Sequence, residues 1–183
     1  MTYKLSYQRG DEWIECNRAA VFRQETMSDG TERLIAGVPN GSDIFPVLAG
    51  QLEAPYDLLY VLHTSRGEGA EGRYQSPSLG AAEFFALWNR FSLFFSGDGR
   101  FDLWLRSQAD GTVLVWDRHN LLYAYGPLTH IEERLKTAGF SEGNPDAGFP
   151  HLHHYRPEFD QDAAEILVWL DWKFSPLQPA DRQ

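Results

Sequence analysis

From Phe101 to Gly126 the chain alternates apolar and polar side chains with a period of two, and this run constrains the fold more than any other. Phe101, Leu103 and Leu105 alternate with Asp102, Trp104 and Arg106. Asp110-Gly111 supplies the positive backbone dihedrals of a tight hairpin turn, and Val113, Val115, Leu121, Tyr123 and Tyr125 carry the pattern around Asp117-Arg118-His119-Asn120. The pattern predicts a three-stranded antiparallel meander over about residues 101–126. Trp104 and Trp116 are expected opposite the leucine and valine set, on a second sheet face that the available helices would cover.

A helix precedes the meander. Phe84, Trp88, Phe91 and Phe95 fall at steps of four, three and four, and Phe85, Leu87 and Phe94 widen the stripe. With Ser76 as cap, Pro77 at the first position and Gly97 at the end, the spacing predicts a helix over about 78–96, apolar enough to be a central core element. After the meander, Thr129 with Glu132 reads as a capping box opening a second helix over about 129–138, with Ile131 and Leu135 buried and Gly139 closing it.

The N-terminal third reads as hairpins. Tyr3, Leu5 and Tyr7 alternate before the turn Arg9-Gly10-Asp11, and Val21–Glu25 and Glu32–Val38 flank Ser28-Asp29-Gly30. Ser42 caps a short helix carrying Ile44, Leu48 and Leu52, and Asp57–Thr64 is a buried strand. Arg66–Pro77 and Ser141–Pro150 read as loops, and His151–Arg156 as a strand. Asp162 and Glu165 would suit a helix start, yet Ile166, Val168, Leu170, Trp172 and Phe174 alternate without a break, so a strand is favoured there. The fold class is therefore α+β, a single domain over residues 1–176 built on an antiparallel or mixed sheet, with a frayed tail over 177–183.

Composition narrows the function classes. The 183 residues carry a formal charge of -10, which repels phosphate backbones and anionic lipid, so nucleic acid and membrane are not expected partners. Cys16 is the single cysteine and has neither a disulfide partner nor a Cys-rich zinc site, which fits a reducing cytoplasm. The first residues lack a signal-peptide core, and no later stretch approaches a membrane span. No Gly-x-Ser-x-Gly elbow, Walker lysine loop or other catalytic motif is present, so the sequence assigns no enzyme activity.

Three function readings follow. The first is a non-enzymatic binding module whose acidic surface engages a basic protein, with a homo-oligomer also compatible. The second is a small-molecule site, for an anionic ligand or a reaction, at the Gly-rich loop: Arg66, Arg73, Tyr74, Gln75 and Ser76, with His63 beside them, offer guanidiniums and a helix N-terminus to a carboxylate or phosphate. The same loop spells Gly67-x-Gly69-x-x-Gly72, but Glu68 and Glu71 would oppose a pyrophosphate. The third is a divalent metal site. On a strand His151 and His153 point to one side, and His119 or Asp117 of the meander turn would supply a third ligand, although nothing in the sequence brings that turn to the histidine strand. Asp117 would orient His119 for an acid–base role, with His63 or Asp102 across the sheet. Apart from that metal, no cofactor is expected.

Overall fold

The computed structural model describes residues 3–145 and 150–182, so the middle of the 141–150 loop lies outside the described residues. The N-terminal hairpins form β1 (Leu5–Arg9), β2 (Glu12–Glu15), β3 (Val21–Thr26) and β4 (Glu32–Gly37). They are followed by α1 (Ile44–Ala49), β5 (Tyr56–Leu62), β6 (Gly72–Gln75) and α2 (Ala81–Gly97). The meander is β7 (Phe101–Ser107), β8 (Val113–Trp116) and β9 (Leu121–Tyr125), and α3 (Thr129–Thr137) comes next. The chain ends with β10 (Ser141–Glu142), β11 (His151–His153), α4 (Asp160–Trp169) and β12 (Lys173–Ser175).

Two sheets result. Nine strands run in the order β10-β3-β4-β9-β8-β7-β5-β6-β12, antiparallel except where β10 joins β3, and three form a smaller antiparallel sheet, β11-β1-β2. The core lies on one face of the large sheet, where Leu34, Leu58, Tyr60, Leu103, Leu105, Leu114 and Ala124 meet the aromatic helix. Phe84, Leu87, Trp88, Phe91, Phe94 and Phe95 are all buried, and each such side chain contributes about 1.5–3 kcal/mol of transfer free energy.

The structure corrects several sequence expectations. Trp116 opposes Leu103 in the register and is buried on the core face, stacked with Phe45, while Trp104 opposes Val115 on the other face. The two tryptophans thus fall on opposite faces, because the run Val113–Trp116 puts Trp116 in phase with Leu114. All four helices contribute to the one core cluster, and the second face instead carries long cationic side chains, Arg33 over Tyr123 and Arg73 over Trp104.

α2 starts at Ala81, later than Pro77. Leu79 is still paired with Tyr56 through both backbone hydrogen bonds, and the Ser76 hydroxyl accepts the Leu58 N–H rather than capping a helix. Glu83 reaches back to the Gly80 N–H at 2.7 Å. Likewise no side chain caps α3, which Thr129 enters as its first residue. The 66–77 loop contains β6, and Asp160–Trp169 is a helix rather than a strand. Ala163 and Ile166 are its buried face, Phe159 just before the helix is buried in the same phase, and Trp169 continues the step edge-on to Phe91. On its outer side Arg90 of α2 pairs with Asp162 and Glu165. Near the C-terminus Pro179–Arg182 form a 3-10 turn whose Asp181 pairs with Arg73. No helix among the described residues is long and apolar enough to cross a membrane.

Candidate metal centre

The β8–β9 turn presents His119. Asp117 shapes it: one carboxylate oxygen accepts the N–H groups of His119 and Leu121 at 2.9 and 2.8 Å, and the other lies 3.2 Å from His119 Nδ1. Asn120 takes a positive φ of 56°, a conformation Asn tolerates, and its side-chain oxygen accepts the buried Trp116 Nε1–H at 3.2 Å. Arg18 Nε donates to the His119 carbonyl. With both sides of its backbone tied, the turn holds the imidazole in one place.

β11 supplies the other two imidazoles. It pairs with β1 through Leu5↔His153 and Tyr7↔His151, so the two histidines lie on one side of the small sheet. That side faces the meander turn. The three ring centroids form a nearly equilateral triangle, 5.0 Å for His119 to His151, 4.9 Å for His119 to His153 and 5.0 Å for His151 to His153. One nitrogen from each ring lies within 4.8 Å of the other two. His151 is exposed and the others are half-buried.

Electrostatics keep the centre poised. Burial pushes His153 down to about 3, reinforced by the charge that His119 and His151 would carry, so at neutral pH it is an uncharged base. Its Nδ1 is buried with no hydrogen-bond partner among the described residues. A side chain at Gly99 would approach that nitrogen to 3.2 Å, and glycine leaves the room. Beneath the turn, Lys4 lies over the Trp116 ring at 3.7 Å; burial lowers it to about 8 against the fields of Asp117, Asp102 and Asp98. His63 Nε2 lies 2.8 Å from Asp102, whose second oxygen accepts the Arg118 N–H. The Asp102 carboxyl is held below its ordinary value because His63 and the Arg118 N–H outweigh burial.

The loop residues do not converge in the same way. Arg66 pairs with Asp160, Arg73 with Asp181, and Glu68 with Arg100. Tyr74 donates to the Ala70 carbonyl and Gln75 to the Leu58 carbonyl. Each of these groups therefore has a protein partner. Two contributors escaped the sequence reading, Gly99 and Lys4, and both lie in segments without any motif. Comparison with protein families, with curated proteins and with solved structures found no match to this chain.

Proposed function

We propose that this chain is a metal-binding protein whose centre is His119, His151 and His153, taking a borderline divalent cation with zinc foremost. The observation that carries the reading is the convergence of three imidazoles from two different sheets to within 4.8 Å. Bases so close repel one another when protonated, whereas a cation satisfies all three at once. Zinc–nitrogen bonds of about 2.0–2.1 Å require nitrogens roughly 3.3 Å apart, a closure within reach of small side-chain rotations. Imidazole donors without thiolate suit zinc, copper, nickel or iron, and Asp117 on His119 is the carboxylate that commonly orients such a ligand.

The test is metal content and affinity in protein carrying no affinity tag. After exposure to zinc and desalting, one equivalent is expected by elemental analysis, with His119→Ala and His151→Ala each abolishing retention. Zinc at background level in the parent protein sinks the proposal.

A second reading, the acidic module that engages a basic protein, is favoured by the charge of -10 together with large apolar side chains left in solvent, Leu93 and Val168 above all. Its signature is binding to a basic partner that weakens as salt is raised, and salt-insensitive association would remove charge steering.

A further inference from the structure

We infer that a metal held by His119, His151 and His153 is a clasp: it fastens the small sheet to the large one and keeps the Lys4 amine covered, and its release lets that seam open. This deepens the metal reading above and rests on it. The three ligands come from both sides of one seam. His151 and His153 lie on β11 of the three-stranded sheet, and His119 lies in the turn between β8 and β9 of the nine-stranded one. β11 is paired with β1 through Leu5↔His153, Ser6↔Leu152 and Tyr7↔His151, so whatever anchors β11 anchors the first strand of the chain as well. An ion bonded to all three imidazoles therefore joins the two sheets directly.

The same seam carries a group that favours opening. The Lys4 side chain leaves the segment just before β1, crosses to the large sheet and is fully buried there, its ammonium 3.7 Å from the centroid of the Trp116 ring on β8 and 5.1 Å from that of Phe101 on β7. Ring faces stabilise a cation less than water does, so covering this amine costs free energy that opening the seam returns. Backbone bonds hold the place from one side: the His154 N–H donates to the Lys4 carbonyl at 2.8 Å, and the Gly99 N–H donates to the His154 carbonyl at 2.9 Å. A ligand that binds only the closed arrangement shifts such a balance by its own binding free energy. Zinc is a ligand of that kind here, because the imidazoles of the two sheets part when the seam opens.

The three lysines of the chain supply the test. Lys4 is buried, whereas Lys136 and Lys173 are exposed and serve as references. The full-length chain, metal-free or loaded with zinc, is pulsed with a water-soluble acetylating ester. Each lysine is read by peptide mass spectrometry, and retained zinc is measured in the same samples. In the metal-free protein Lys4 should be protected less than the α2 amides are in hydrogen exchange, because the seam opens without global unfolding. Zinc at a hundredfold excess over its dissociation constant should slow Lys4 about a hundredfold and leave Lys136 and Lys173 unchanged, and His151→Ala should remove the slowing. The clasp is overturned, with the metal site left standing, by bound zinc that does not slow Lys4 or by metal-free protection of Lys4 as high as that of α2. Protection by zinc that survives His151→Ala overturns it as well. Zinc absent from the loaded protein removes both readings, and the two failures are thereby told apart.

Discussion

Two polar clusters fasten the segment after residue 150 to the rest of the molecule, and they are built on opposite principles. Around Arg100 every charge has its complement. The fully buried guanidinium donates to both oxygens of Asp98 at 2.9 and 3.0 Å, to Glu68 at 3.0 Å, to Asp160 at 3.0 Å and to the Arg156 carbonyl at 3.1 Å. Burial works against the cation, yet these carboxylates outweigh it and hold the group above its ordinary value. Around His119, His151 and His153 three like bases meet, and among the described residues the carboxylate of Asp117 lies beside His119. The first cluster is complete in itself and reads as architecture. On the metal reading proposed above, the second gains from an added cation, whereas the first has its charges matched within the protein.

The sharpest way to break the comparison is to open the complete cluster. Arg100→Ala strips the partner from buried Asp98 and Glu68 and is expected to cost about 3–5 kcal/mol of stability in urea unfolding. A loss below about 1 kcal/mol, the range of exposed pairs, would show that the hub does not bear on stability. Next in size is the gain from filling the open cluster. Zinc at a hundredfold excess over its dissociation constant should add about 2.7 kcal/mol, and His119→Ala should abolish that increment. An increment that survives His119→Ala would place the metal elsewhere.

The difference between the clusters also explains what could be read in the chain. The meander and the aromatic helix are local patterns, and so is the placement of His151 and His153 on one side of a strand. What joins them to His119 is the register Leu5↔His153, a pairing between chain ends that no local pattern encodes. Asp98-Gly99-Arg100 shows in the sequence only as a short turn between helix and strand, because its partners Glu68 and Asp160 come from distant segments. In 162–174 two periods coexist, and burial of Ala163 and Ile166 against the core selected the helical one. The arginines of the Gly-rich loop were visible as charges, but their carboxylate partners on α4 and at the C-terminus were not.

A finer comparison concerns the carboxylate beside His119. Asp117→Asn keeps the size of the side chain and weakens the pull on His119 Nδ1, so zinc affinity should fall about 10–100-fold in competition titration. The same substitution should leave the Arg100 hub intact, so the denaturation midpoint of the metal-free protein reports only the turn. Unchanged affinity would mean that Asp117 serves the turn backbone alone, through the N–H groups of His119 and Leu121.

The smallest effect is a pH dependence belonging to the closed cluster. Glu68 is desolvated, which alone would raise its carboxyl, but its own backbone N–H, the Arg100 guanidinium and the Arg66 N–H together hold it below the ordinary value. Asp160 is lowered as well, first by Arg66, then by Arg100. Because both acids bind protons more weakly in the folded chain than in the unfolded one, their stabilisation is fully present above the unfolded carboxyl values of about 4. It is lost as pH falls through the lower folded values, where the native state must take up protons. The urea midpoint should therefore drop on acidification in that window, and Glu68→Gln should flatten its part of the slope. Parallel curves for the two proteins would show that Glu68 contributes packing but no charge, which would make the closed cluster less complete than its geometry implies.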